Sequence, residues 1–321
     1  MQKVMVTGAN GFLGTAVCRE LVHSGKKVIA VVHSASSDVS QISAMENINI
    51  LSCDMNEYSK LHELDILSDV DTVYHFAWNG TSGNKRSDYE IQLNNIMHTC
   101  DLLEVCKKIG CKRFIYASSI MEYEIQALER KTQLLPGNSI YSSAKMSANY
   151  LLKALCQKNE IEYLRCIISN VYGPGEKSER MINTSIRKML HGEHCGFSEG
   201  EQMYDFIYID DAAKSFVAVG EKGKSNSTYY IGSNKPRKLK EFLKEMEEQV
   251  KPKESIVLGE VPFNGVMLDY YELFDLEAVK RDTGFSPMIC FALGIEKTKQ
   301  WILEEDDKWD LEKLKSCHCR L

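Results

Sequence analysis

The chain has 321 residues, 44% of them apolar and 26% charged, with a formal charge of −6. That length and balance suit a folded enzyme with a full core and exclude a disordered or fibrous chain. The acidic balance, without any dense Lys/Arg stripe, speaks against nucleic acid as a partner, and no apolar run approaches a membrane span.

The first apolar run begins at residue 2 or 3, which leaves no room for a signal peptide, so a cytoplasmic protein is expected. Of the 11 cysteines, Cys18, Cys100, Cys106, Cys156 and Cys166 fall within helix or strand patterns, where a free thiol acts as a small hydrophobe. Cys317-His318-Cys319 reads as a tail, because two thiols and one imidazole do not complete a metal site. No metal is expected.

Strand-like runs recur at 3–6, 27–32, 48–52, 71–77, 112–117 and 161–168, separated by helical patterns at 12–24, 57–66, 87–109 and 140–158. This alternation predicts an α/β fold, a doubly wound parallel sheet with helices on both faces. Between the first strand and helix, Thr7 is followed by Gly8, Asn10, Gly11, Phe12, Leu13 and Gly14. Gly8 suits a tight turn, Gly11 a close approach to a pyrophosphate, and Gly14 close packing of helix on strand. The helix N-terminus then offers free N–H groups to the phosphates.

The rhythm changes at Gly173-Pro174-Gly175. A helix is expected at 180–191, a Gly/Glu-rich loop at 192–201, a strand-like run from Tyr204 to Ile209, and helices at 237–250 and near 291–304. The expected division is a dinucleotide-binding domain over 1–170 with a return segment near 204–232, and a smaller substrate-binding cap mostly from 171–321.

Tyr141 and Lys145 open the helix pattern that follows Pro136-Gly137-Asn138. Residues four apart share a helix face. A free phenol titrates near ~10 and moves protons poorly at neutral pH. A lysine ammonium one turn away is expected to stabilise the phenolate, so that Tyr141 can exchange a proton with a substrate hydroxyl while Lys145 also holds a ribose. Upstream, the strand beginning at Arg113 ends in Ser118 and Ser119, where the sheet edge presents a hydroxyl to the same oxygen.

With these features the chain resembles an extended short-chain dehydrogenase/reductase of the NAD-dependent epimerase/dehydratase family, whose members mostly modify nucleotide sugars. The resemblance runs through Thr7 to Gly14, Cys53-Asp54-Met55, His75-Phe-Ala77, Asn95, Ser118-Ser119, Tyr141 with Lys145, and Leu164-Arg165. It continues through Asn170-Val-Tyr-Gly-Pro-Gly175, Asp205 to Asp211, and Asp275 to Pro287. It implies a Rossmann sheet with Ser119, Tyr141 and Lys145 as the catalytic trio. It also implies cofactor contacts from the glycine turn, Asp54, Met55, Ala77, Trp78, Asn95 and Ser118, with Asn170 joining Ser119 and Tyr141 at the sugar nucleotide. A homodimer through the helices at 87–109 and 140–158 is implied too.

Three departures carry information. The family's dehydratases place an Asp-Glu pair directly after the catalytic hydroxyl residue, and Ile120 and Met121 stand there, so dehydration is not expected. Glu122, one position on, is expected to point elsewhere by strand alternation. Arginines that grip the diphosphate in many members are replaced by Tyr204 and by the Pro262–Met267 stretch. Arg180, Arg187, Lys177 and Lys188 are candidates to compensate. At the end of the second strand no acid occurs before Asp38, while His33, Ser34 and Ser36 are donors, which favours NADP(H) over NAD(H).

The expected activity is that of an NAD(P)-dependent sugar-nucleotide oxidoreductase, a reductase of a 4-keto intermediate at C4. The alternatives are a nucleotide-sugar 4-epimerase resembling UDP-glucose 4-epimerase and, from another class, a non-catalytic NAD(P)-binding regulator. Retention of all three of Ser119, Tyr141 and Lys145 argues against a regulator.

Overall fold

The computed structural model describes residues 1–130 and 135–318, with 130 and 307–318 described for backbone alone. Cys317-His318-Cys319 therefore lies outside the residues whose side chains are described. The first part of the chain runs β1 (Lys3–Thr7), α1 (Phe12–His23), β2 (Lys27–Val32), β3 (Ile48–Ser52), β4 (Thr72–His75), α2 (Tyr89–Lys108), β5 (Arg113–Ser119), α3 (Met121–Arg130), α4 (Ser139–Lys158) and β6 (Glu162–Ile168). It continues with β7 (Asn170–Tyr172), α5 (Met181–Leu190), β8 (Met203–Tyr204), β9 (Phe206–Tyr208), α6 (Ile209–Lys222) and β10 (Ser227–Ile231). The last elements are β11 (Arg237–Lys238), α7 (Leu239–Val250), α8 (Tyr270–Leu273), α9 (Ala278–Thr283) and α10 (Phe291–His318).

Seven strands form one parallel sheet in the order β3-β2-β1-β4-β5-β6-β10. This is the expected doubly wound Rossmann-like sheet. Successive residues of β1 feed opposite cores: Val4 and Val6 pack on the side of α1 and α6, and Met5 on the side of α2 and α4. A strand buried on both faces has no solvated side, so it is apolar throughout. The chain leaves β1 in one direction and β4 in the other. Their C-terminal ends form the switch point where open α/β sheets bind ligands.

Several elements differ from the sequence reading. The stretch read as a helix at 57–66 is two 3-10 segments, Met55–Glu63 and Asp65–Leu67, started by the Asp54 carboxylate accepting from the Asn56 N–H. Helices α3 and α6 were not anticipated, since each follows its strand with almost no turn residue between. Strand β10 returns after the cap segment to pair with β6. No described helix is long and apolar enough to cross a membrane. Among the described residues no group of three His, Cys, Asp or Glu is placed to hold a metal.

Candidate active site

The glycine turn is built by close approach. Gly8 has φ 65°, and a Cβ there would stand 2.8 Å from the Ala77 backbone nitrogen. A Cβ on Gly14 would stand 2.1 Å from the Gly8 carbonyl oxygen. Helix α1 starts with Gly11 as its N-cap and no side chain capping its first turn, so those N–H groups are free for an anion. The cradle fits a dinucleotide pyrophosphate.

Two hollows meet at this turn. One is lined by Asn10, Val31, His33, Cys53, Met55, Tyr58, Ala77 and Asn79. The other is lined by Leu13, Gly14, Ala117, Ser118, Ser119, Tyr141, Lys145, Ser169 and Arg180. Gly8, Gly11, Phe76, Trp78 and Thr81 line both. Together they make a groove across the switch point, with one end beside β2 and the Ser–Tyr–Lys trio at the other.

Behind the groove, His75 is locked between Thr7 and Thr99. Thr99 donates to the Asn95 carbonyl at 2.7 Å, so His75 Nε2 donates to Thr99 at 2.9 Å and its Nδ1 accepts from Thr7 at 2.8 Å. Burial, helped by Lys145, pushes the imidazole down to about 3. His75 is a neutral brace. Asn95 likewise spends both ends of its amide on the Asn79 backbone, at 2.8 and 2.9 Å. It is 1% exposed and shapes the loop after β4 rather than lining the groove.

At the β2 end, Asp54 pairs with His33 at 3.0 Å. The Ser34 and Ser36 hydroxyls bond to each other at 3.0 Å. Of the three groups expected to receive a 2′-phosphate, His33 is thus engaged by a carboxylate and one of the two hydroxyls by the other.

Within the trio, Ser119 Oγ accepts from the Met121 N–H at 3.2 Å. Tyr141 is buried. Desolvation pushes its phenol up, while Arg86 and a hydrogen bond with Ser119 work against that shift. Lys145 is directed elsewhere than expected. Its Nζ donates to the Ala117 carbonyl at 3.0 Å and stands 3.7 Å above the Trp78 ring. Burial pushes this ammonium down to about 7.

The position of Glu122 corrects the alternation argument. Strand β5 ends at Ser119, so Glu122 lies in the first turn of α3, where its carboxylate accepts from Ser118 Oγ, from the Ser119 N–H at 3.2 Å and from Arg165. Ile120 packs with Ile167, Tyr230, Leu268 and Phe274. Neither it nor Met121 carries a group that moves a proton.

Asn170 does not line the groove: its Nδ2 donates to the Asp205 carbonyl at 3.1 Å, and its side chain meets the Tyr270 hydroxyl. Glu124 and Tyr204 lie close enough to influence each other, and burial pushes the Glu124 carboxyl up to about 7. Of the four candidate cations only Arg180 lines the groove. Lys177 pairs with Asp38, Arg187 with Asp306, and Lys188 faces a separate hollow beside α5. Arg86, which the sequence reading passed over, stands above the Tyr141 ring.

A glycine turn at the switch point of this sheet, with a cap completed by later segments, defines an extended short-chain dehydrogenase/reductase. The chain belongs to the NAD dependent epimerase/dehydratase family, whose model matches residues 4–232. It is 27% identical over 326 residues to the trifunctional UDP-glucose 4,6-dehydratase/UDP-4-keto-6-deoxy-D-glucose 3,5-epimerase/UDP-4-keto-L-rhamnose-reductase of Arabidopsis thaliana, a match covering 96% of this chain and 48% of that protein. The chain thus spans about half the length of the first curated relatives it matches. It is 23% identical over 334 residues to dTDP-glucose 4,6-dehydratase of Salmonella typhimurium, covering 94% of this chain and 92% of that one. Among solved structures, UDP-glucose 4-epimerase from Thermotoga maritima with UDP-glucose superposes with a TM-score of 0.77 at 22% identity, covering 95% and 99% of the two chains. The Bordetella bronchiseptica enzyme WbmF with NADH gives 0.77 at 22% identity, covering 99% and 96%.

Proposed function

We propose that this protein is an NAD(H)-dependent reductase of a 4-keto nucleotide sugar, acting at C4 without dehydration. The observation that carries this reading is the convergence of Ser119, Tyr141 and Lys145 on one end of the groove, with Ile120 and Met121 where a dehydrating acid and base would stand. When bound, the nicotinamide supplies hydride to the carbonyl carbon. Ser119 polarises the carbonyl oxygen, Tyr141 gives it a proton, and Lys145 holds the ribose side of the groove. Asn170 and Arg180 are proposed to hold the sugar nucleotide.

Two features of the β2 end bear on the cofactor. The Asp54 carboxylate beside His33 would repel a 2′-phosphate and can accept from ribose hydroxyls, so NAD(H) replaces NADP(H) as the preferred cofactor. The His33 side chain is 65% exposed and that of Asp54 35%. An open end suits a reductase, which exchanges cofactor every turnover. A 4-epimerase is the second reading. It uses the same trio, and it gains ground because NADP(H) no longer favours a reductase.

The test is to purify the protein, measure retained dinucleotide, and assay UDP- and dTDP-linked 4-keto-6-deoxyhexoses with NADH and NADPH. Reduction by added NADH supports the proposal. Firmly retained NAD with interconversion of C4 epimers supports the second reading, and no turnover of any sugar nucleotide refutes both. A homodimer is also proposed, because Tyr89, Leu93 and Met97 on α2 and Tyr150 and Leu151 on α4 present exposed apolar side chains.

A further inference from the structure

We propose that Arg86 is the cation that stabilises the Tyr141 phenolate during proton transfer, the part that helix spacing assigns to Lys145. The inference rests on the reading of Tyr141 as the group that moves the proton.

Arg86 comes from the 3-10 turn Gly83–Ser87, which is fastened from behind. Gln92 Nε2 donates to the Gly80 and Lys85 carbonyls at 3.1 Å each, and Gln92 Oε1 accepts from the Trp78 indole N–H at 2.8 Å. This holds the Arg86 guanidinium carbon 4.6 Å from the centre of the Tyr141 ring. Its Nε and Nη2 are shut off from solvent and have no hydrogen-bond partner. A buried donor left unmet costs free energy and calls for an explanation.

The other cations near the ring are committed. Lys145 is bonded to Ala117 and sits over Trp78, and Arg180 is paired with Glu176 at 3.2 Å. A neutral phenol offers Arg86 only the π-face of its ring. As Tyr141 gives up its proton, the same ring takes on a full negative charge, and the guanidinium, whose Nε and Nη2 have no hydrogen-bond partner, gains a counter-charge. The interaction therefore strengthens along the reaction, which is the property that accelerates a step. Arg86 acts through Tyr141 and is a positioning residue.

The charged and polar groups facing the phenol are Arg86, Ser119 from β5, Glu122 from α3 and Arg180 ahead of α5, with Lys145 one turn along α4. Burial, Glu122 and Arg86 set the balance, and Glu122 opposes the cations. Glu124 on α3 lies in the field of Arg86.

The experiment is an ultraviolet phenolate titration of the full chain, wild type, Arg86→Met and Arg86→Lys, each read against the same protein carrying Tyr141→Phe. The difference isolates one phenol without any need for activity. In Arg86→Met the midpoint should rise by about one pH unit, a tenfold change in proton affinity. Arg86→Lys should keep most of the wild-type value. An unmoved midpoint in folded Arg86→Met overturns the proposal, as does an equal shift in both variants, which would assign the effect to shape rather than charge. Failure of the proposed activity shows separately, as turnover that survives Tyr141→Phe.

Discussion

Glu122 and Arg165 form a buried ion pair directly behind Ser119, and the same carboxylate accepts the Ser119 amide at 3.2 Å. The carboxylate is thus held on three sides by Arg165, Ser118 and Ser119. With Ile120 and Met121 beside it, the proposed reading expects no water elimination. Incubation with UDP-glucose or dTDP-glucose and NAD should give no dehydrated product by mass spectrometry. Appearance of a 4-keto-6-deoxy sugar would overturn this. Removing one partner of the pair, as in Glu122→Ala, should destabilise the fold by roughly 3–5 kcal/mol in denaturant unfolding.

Tyr141→Phe should abolish turnover and leave dinucleotide affinity almost unchanged, because the ring and its packing on Trp78 remain. General acid–base groups contribute ~100- to 10,000-fold. Retention of more than about a tenth of the wild-type rate would refute the assigned role.

Gly11 and Gly14 of the turn should respond differently. A Cβ on Gly11 would meet only the Gly8 oxygen, at 3.2 Å, whereas one on Gly14 would meet it at 2.1 Å. Gly11→Val should fold and lose cofactor, its side chain filling the pyrophosphate space. Gly14→Ala should lose about 1–3 kcal/mol of stability by overpacking. Calorimetry of both variants with and without NADH separates the two effects.

The pair of His33 and Asp54 predicts that wild type binds NADH at least as tightly as NADPH. Asp54→Asn should free His33 for a phosphate and improve NADPH binding relative to NADH. A wild-type preference for NADPH in direct titration would restore the sequence-based expectation.

Much of this site could be read from the sequence, and the reasons differ by residue. Strands such as Lys27–Val32 and Ile48–Ser52 match their expected bounds, because period and composition are local properties. Arg86 was missed because its position above Tyr141 depends on Gln92 folding the loop after β4 back onto α4, a long-range contact with no local signature. The chain from Ser119 into α3 reads as more strand because Ile120 and Met121 are apolar. Only the pairing of Glu122 with Arg165, 43 residues away, makes the helix start intelligible. His33 was read as a phosphate donor since its partner, Asp54, arrives from the far end of β3.

Glu124 offers a pH test. Burial raises its carboxyl from 4.5 to about 7, so the unfolded chain ionises first as pH rises. Stability should be unaffected by this group below about pH 4.5 and fall between about 4.5 and 7, staying reduced above. Glu124→Gln should therefore stabilise the protein by about 1 kcal/mol near neutrality and above, solvent screening being allowed for, and by nothing in acid. Equal effects at both ends would show that the residue is not buried as described.

The late arrival of β10 governs how this protein can be cut or recombined. A fragment ending near residue 170 would leave β6 as a bare parallel edge and strip α1 of the α6 surface it packs on. Such an edge invites pairing between chains, so the fragment should aggregate instead of binding dinucleotide by itself. The segment carrying α5 is better regarded as cargo slung between two strands of the sheet. A chimera that exchanged only that sling, keeping α6 and β10, would preserve the seven-stranded sheet and transplant one wall of the hollow that holds Ser119 and Tyr141.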